Sequence, residues 1–537
     1  MSLIELLRST ERRRVHRFLQ FSALAGVSST YCFYLVMRAS EAPGSLTDGD
    51  TGFWAIVQFL VALLVFYIAQ LRALTESSPI VELAVHEMRA RLLQALQAME
   101  LRDAEDLGTS RIQTALSADA QTISQAAGPA AFAVQSAMMV IFAAVYLALI
   151  SPSALALTVV VASVAGWAYI AHSEIVSRAL DSARWRVSEM QTHVASLING
   201  FKELKLSVPK SQGARKAAVE ASSEAAVEKL VVHHALARDF VLSNLAFFCL
   251  LGTIVFLMPW LRTEYSESVS RSVAAVMFLI TPLFGVIGAL PQVAMANVAA
   301  DSLLSLEREI LSKTQGPDEQ IDEPLDGFRS IELSGLRFDY GAKGGGFAVG
   351  PLSLSVRRGE VLFITGDNGS GKSTVLKLLA GLYRPMEGQV LVDGQSVWPH
   401  RTRAYRALMS AVFSDFHLFD RLHGLESVDA DWCRQWLERL QLSEKVRLVD
   451  GRFSTTALST GQRKRLALFA ALAENRPILI LDEWAADQDP SFRRHFYLDL
   501  LPRIRAEGRT VVAITHDEAY FDHADRRIHI ARGLIES

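Results

Sequence analysis

Thr365-Gly366-Asp367-Asn368-Gly369-Ser370-Gly371-Lys372-Ser373-Thr374 is the stretch on which the reading of this chain turns. It follows the apolar run Val361-Leu362-Phe363-Ile364 and precedes Val375-Leu376-Lys377-Leu378-Leu379, an order of strand, glycine-rich loop and helix that fits the phosphate-loop pattern G-x-x-x-x-G-K-S. The glycines let the backbone curl until successive N–H groups face one point, and the helix start adds the positive end of its dipole. Lys372 can neutralise outer phosphates, and the Ser373 hydroxyl can ligate Mg2+. Polyphosphate chemistry is the first expectation.

Further along lies Pro477-Ile478-Leu479-Ile480-Leu481-Asp482-Glu483, an unbroken apolar strand that ends in two carboxylates. Such a strand is buried on both faces and delivers its tip to the phosphates. Asp482 is expected to hold Mg2+ and Glu483 to polarise an attacking water. Short β-rich runs at 331–338, 361–365, 389–392, 410–413, 478–481 and 511–515 alternate with helical ones, which predicts an α/β domain with a largely parallel sheet. The acidic, proline-bearing stretch between Lys313 and Gly327 reads as a linker.

The first three hundred residues have a different character. The chain of 537 residues is 50% hydrophobic with a mean hydropathy of +0.22, too apolar for an ordinary soluble enzyme. Six segments, near 17–37, 52–73, 129–150, 153–172, 239–260 and 272–292, can each cross a hydrocarbon core. The first has no small-residue cleavage site after it, so no cleavable signal is expected. Arg12-Arg13-Arg14 reads as the positive flank of that first span, and the net charge of −3 argues against strong attraction to nucleic acid. Cys32, Cys249 and Cys433 suggest neither a disulfide framework nor a metal site.

The stretches 74–128 and 173–238 are long, polar and rich in Arg and Lys, which places them in the cytoplasm with both termini. Their apolar residues recur at helical spacing, so they should be helices running out of the membrane, broken at Gly108 and at Asn199-Gly200. A short helix at each tip could dock on a cytoplasmic domain. The amphipathic opening Leu3–Arg8 is expected along the membrane surface. Gln20, Ser29, Thr30, Gln58, Gln135, Asn244 and Thr281 are the polar groups inside the spans, either helix–helix bonds or ligand contacts, and Pro282 can kink the last span. The scarcity of ionisable residues there argues against a proton-coupled carrier or an ion channel and suits a cavity for a sizeable solute of mixed polarity.

Leu458-Ser459-Thr460-Gly461-Gln462-Arg463-Lys464-Arg465 resembles the signature sequence of ATP-binding cassette (ABC) transporters, with Thr460 in place of the usual first glycine. The resemblance implies ATP and Mg2+ as cofactors, bound through Gly366, Asp367, Asn368, Gly369, Ser370, Gly371, Lys372, Ser373 and Thr374. It also implies that Ser459, Thr460, Gly461 and Gln462 serve the nucleotide of a partner subunit, and hence a head-to-tail homodimer. Tyr340 matches the aromatic that stacks on adenine, and His516 the histidine that contacts the γ-phosphate and orders the attack. Asp487 and Asp489 lie in the loop that crosses the dimer interface, Asp489 as its anchor. Ser414, in Val412-Phe413-Ser414-Asp415-Phe416, stands where the family usually has a glutamine touching Mg2+; either Ser414 reaches the ion through water or Asp415 takes part.

The layout is similar to that of exporter-type half-transporters: a six-span helical transmembrane domain over 1–312, a linker over 313–328 and an α/β phosphate-loop nucleotide-binding domain over 329–537. Asp482-Glu483-Trp484-Ala485-Ala486-Asp487-Gln488-Asp489-Pro490, the signature segment, Ser414 and Gly200-Phe201-Lys202-Glu203-Leu204-Lys205-Leu206 resemble the bacterial cyclic-peptide exporters of siderophore precursors, lipopeptides and microcins. That implies ATP-driven export of a peptide-like small molecule across the bacterial inner membrane, in contact with membrane lipids and without nucleic acid. A multidrug or lipid-flipping exporter and a peptide-sensing ATPase without transport remain as alternatives, and a periplasmic or outer-membrane partner stays open.

Overall fold

The computed structural model describes residues 2–7, 12–41, 49–257, 269–313, 325, 327–341, 347–398, 400–425 and 428–536. Most of the linker expected over 313–328, part of the link after the first span (42–48) and the last residues of the fifth (258–260) lie outside them. The chain forms two compact units, one of Met1–Arg91 with Gln113–Leu306 and one of Leu92–Ile112 with Glu307–Ser537.

The first unit is helical. Among the described residues, five helices, Arg12–Ser40, Gly52–Gln97, Arg111–Ile150, Val208–Phe256 and Arg271–Lys313, are long and apolar enough to cross a membrane. A shorter apolar stretch, Pro152–Val164, opens the helix Pro152–Asn199. The protein is therefore a multi-pass membrane protein. Helix boundaries follow local chemistry: Ser151 accepts from the Ala154 N–H and is followed by Pro152, and Ser207 accepts from the Lys210 N–H ahead of Pro209. Between these two long helices, Gly200 precedes the short helix Phe201–Leu206, none of whose residues is buried. The last helix runs through both Pro282 and Pro291 without ending.

Three of the polar groups expected inside the spans, Gln135, Thr30 and Asn244, bond within the helical unit. The Gln135 and Gln70 side chains bond to each other across helices, while Thr30 and Asn244 bond back to Gly26 and Phe240 carbonyls. At the ends of the expected fourth and fifth spans, His172 Nδ1 lies 3.0 Å from Asp239 Oδ1. Small residues allow close helix approach: a Cβ on Gly285 would lie 2.4 Å from Ser136 Oγ. The amphipathic opening forms the helix Ser2–Leu7, tied to the last helix by Ser2 Oγ donating to Asp301 and the Leu3 N–H donating to Asn297.

The second unit is α/β. Its strands are β1 (Ser330–Asp339), β2 (Ala348–Arg357), β3 (Val361–Thr365), β4 (Glu387–Val392), β5 (Gln395–Ser396), β6 (Met409–Val412), β7 (Leu448–Val449), β8 (Arg452–Phe453), β9 (Ile478–Asp482), β10 (Thr510–Ile514), β11 (Arg526–Ala531) and β12 (Leu534–Glu536). Six of them form a sheet ordered β12-β11-β3-β10-β9-β6, parallel except for β12. The expected parallel sheet is thus present, but the runs at 331–338 and 389–392 belong elsewhere. As β1 and β4 they join a separate antiparallel sheet ordered β2-β1-β4-β5.

Both faces of the parallel sheet are covered. Phe363, Leu479, Leu481, Val511 and Ala513 face one core cluster, and Leu362, Ile364, Ile478, Ile480, Val512 and Ile514 face the other. Residue alternation along a pleated strand produces this division. Each such Val, Leu, Ile or Phe side chain contributes about 1.5–3 kcal/mol by leaving water, which explains why these strands read as unbroken apolar runs.

The short helix Leu101–Leu107 belongs to this unit and is closed by Gly108 at φ 79°. Glu105 accepts from Lys377 Nζ at 3.2 Å and from the Tyr383 hydroxyl at 2.7 Å, and Glu100 pairs with Arg406 at 3.3 Å. Arg102 lies over the Phe338 ring, whose other contacts include Tyr383, stacked 4.7 Å away.

Candidate functional site

The phosphate loop leaves β3 at its C-terminal end and enters the helix Lys372–Leu379. Gly366 has φ 142°, and a Cβ there would lie 2.0 Å from the Ile530 carbonyl oxygen, so no other residue fits. Asp367, Asn368 and Gly369 form the exposed crown of the loop; Ser370 is buried, with an Oγ that has no partner. Gly371 precedes the helix at φ 101°. Lys372 Nζ reaches back to the Gly366 and Asp367 carbonyls at 2.8 and 2.9 Å. Thr374 Oγ1 bonds the Tyr340 hydroxyl at 2.9 Å, and the Tyr340 ring stands edge-on to Phe338 and Tyr383.

Sheet register brings the carboxylates to this loop. Asp482 ends β9 opposite Ile514 of β10, two residues before His516. Ser373 Oγ donates to Asp482 Oδ1 at 3.3 Å, and Ser414 Oγ donates to Oδ2 at 3.2 Å. Burial pushes the Asp482 carboxyl above the usual range, against the pull of these two hydroxyls. Ser414, and not the exposed Asp415, is therefore the residue of that segment that meets Asp482. Glu483 adopts a left-handed backbone, φ 47°, that a glutamate rarely takes, and its N–H donates to the Ile514 carbonyl. Its Oε1 lies 3.3 Å from His516 Nε2.

These residues fit ATP with Mg2+. The glycine cradle and the orphaned Ser370 hydroxyl suit phosphate oxygens, while a hydroxyl and a carboxylate in contact at Ser373 and Asp482 are the hard oxygen donors Mg2+ prefers.

The signature residues form a second group. Ser459 caps the helix Thr460–Ala473, accepting from the Gln462 N–H while the Gln462 side chain accepts from the Ser459 N–H. Gly461 packs so closely on the next loop that a Cβ would lie 2.9 Å from the Asp487 carbonyl oxygen, and its own carbonyl accepts from Gln488. Lys464 pairs with Asp487 at 2.7 Å and Arg465 with Asp489 at 2.8 Å. Asp489 also caps the helix Pro490–His495, accepting from Ser491 Oγ and the Phe492 N–H. Ser491, Phe492 and Arg465 together hold its carboxyl at about 2. Among the described residues, no hydrogen bond joins this assembly to the phosphate loop of the same chain. The sequence reading did not single out Lys464, Arg465 or Gln488; the available signal was the pair Lys464-Arg465 running directly into the apolar stretch Leu466-Ala467-Leu468-Phe469.

The ABC transporter family matches residues 349–486, and the ABC transporter transmembrane region matches residues 18–206. The chain belongs to the ABC transporter family, with the exporter half-transporter layout of a helical membrane unit and one ATP-binding cassette. Among known proteins it is similar to the ATP-binding protein SyrD of Pseudomonas syringae pv. syringae, at 39% identity over 64% of this chain and 63% of that one. It also resembles an ATP-dependent lipid A-core flippase of Burkholderia orbicola, at 31% identity over 49% of this chain and 45% of that one. The matched region thus spans less than two thirds of either relative. A bacterial Atm1-family ABC exporter solved with ATP bound shares the fold, with a TM-score of 0.80 at 16% identity over 98% of this chain and 95% of that one.

Proposed function

We propose that two copies of this chain use ATP hydrolysis to export a cyclic or otherwise modified peptide across the bacterial inner membrane, from a cytoplasm that holds both termini and the cassettes. The observation that carries this reading is the convergence of Ser373, Asp482, Glu483 and His516 at the end of a parallel sheet, in a chain that also carries a multi-pass helical unit. When bound, Mg2+ and ATP supply the phosphoanhydride bond and the charge that the site is built to meet. Ser373 and Asp482 would hold the ion, Glu483 would accept the proton of the attacking water, and His516 would hold the Glu483 carboxylate in place. The Tyr340 ring would stack on adenine.

Ser459, Thr460, Gly461 and Gln462 would close over the nucleotide of the second copy, with the Asp487–Asp489 loop beside them. Preference of nucleotide for the closed pair turns the membrane cavity outward, and hydrolysis resets it. The domain boundaries suited to this arrangement are 1–312, 313–328 and 329–537. The resemblance of the segment from Asp482 to Pro490 to peptide exporters supports a peptide cargo. The lipid A-core flippase relative favours a second reading, in which a lipid is moved. ATP-dependent accumulation of labelled peptide in inverted vesicles, lost in E483Q, tests the first; stimulation of ATPase activity by lipid A and not by peptide would establish the second.

A further inference from the structure

Arg493 lies outside every motif in the sequence and joins two of them. It sits on the helix Pro490–His495, and its guanidinium reaches in two directions. One amine donates to Asp517 Oδ1 at 2.9 Å; the other donates to the Ala486 and Gln488 carbonyls, each at 3.2 Å. Asp517 immediately follows His516, and the two carbonyls belong to the loop that follows Glu483.

Asp517 is held on its other side as well. Its Oδ2 accepts from the Tyr497 hydroxyl at 2.9 Å; that hydroxyl lies 2.7 Å from Thr515 Oγ1, which accepts from the Asp517 N–H at 3.1 Å. A phenol has one proton to give, and with it directed to Asp517 the Thr515 hydroxyl must donate to Tyr497. The bonds therefore close into a ring through the two residues that flank His516. Tyr497 is 1% exposed and stacks on Tyr520 at 4.4 Å, and burial pushes its phenol further from ionisation, so it remains a donor.

We infer that Arg493 is a positioning residue that sets His516 against Glu483 according to the placement of the 486–488 backbone, so that the loop and the histidine move as one. Both residues flanking His516 are fixed by side chains of the segment that carries Arg493, and the same guanidinium grips the loop. A planar fork can span an acid and two carbonyls at once, whereas an ammonium offers a single point of charge. The inference rests on the reading of Glu483 and His516 as the hydrolytic pair.

The test is steady-state ATP hydrolysis by the full chain in lipid discs, with thermal midpoints, for the parent, R493A, R493K, D517N, R493A/D517N and E483Q. R493A is expected to lower kcat about tenfold or more while KM stays within about twofold. R493K, keeping the ion pair alone, should fall between R493A and the parent. The double variant should be no more than about twofold slower than R493A, because both changes remove one link. An R493A kcat within about twofold of the parent overturns the inference. So does a defect in R493A and R493K confined to KM or to the thermal midpoint, which packing alone would explain. A parent that does not hydrolyse ATP, or an E483Q variant as fast as the parent, overturns the hydrolytic reading instead, so the two failures are distinct.

Discussion

Asp482 is 2% exposed and is met by two serine hydroxyls, whereas Glu483 beside it is turned by a left-handed backbone toward His516. The two adjacent acids therefore have different surroundings, which suits the separate roles proposed for them. Replacing Glu483 by Gln removes the proposed proton acceptor and should lower ATP turnover by a factor on the order of 10² to 10⁴. S414A leaves the Ser373 contact to the same carboxylate and should cost about tenfold, the low end of the roughly 1.5–3 kcal/mol that a hydrogen bond to a charged group contributes. Turnover assays on the two variants check the ranking, and equal losses would refute it. Asp489 supports a pH prediction. Its carboxyl is held at about 2 against an ordinary 3.8, so its stabilising effect is complete above about 3.8 and is lost as pH falls through about 2. Thermal midpoints measured from neutral pH downward should show that acid-dependent loss in the parent and a smaller one in D489N.

The helix Leu101–Leu107 shows how an element can be anticipated while its contacts are not. Gly108 signalled the break, and a short tip helix followed from it, but nothing in Leu-Arg-Asp-Ala-Glu-Asp-Leu announces that Glu105 will meet Lys377 and Tyr383. Its carboxylate is 44% exposed, so the ion pair contributes little stability, about 0–1 kcal/mol. Its position matters more, since Tyr383 stacks on Phe338 and stands beside Tyr340. E105A should therefore leave the KM for ATP within about twofold while weakening the stimulation of ATPase activity by cargo, measured in lipid discs. The buried strands β3, β9 and β10 were legible because both faces demand apolar side chains. β2 was not read because Gly350-Pro351 interrupts its alternation, and β11 was not because its exposed face carries Arg527 and His529.

At the scale of the whole molecule, among the described residues no hydrogen bond joins the signature helix to the phosphate loop of the same chain, and the proposed function makes each of them half of a site shared by two copies. E483Q with ATP and Mg2+ should run as a species of twice the chain mass in native mass spectrometry; a monomer under those conditions would sink the two-copy reading. The sequence by itself determined the class of this protein: phosphate chemistry is written in short contiguous words such as Gly366–Thr374 and Asp482-Glu483, and membrane crossing in apolar length, both local properties. Tertiary structure alone decided which distant groups touch. Strand register set His516 against Glu483, burial of Asp482 chose Ser414 as its partner, and the Arg493 fork joined two loops that are 31 residues apart from Ala486 to Asp517. Such pairings depend on how sheets and helices pack, and a linear pattern carries periodicity and composition but not the distances between segments.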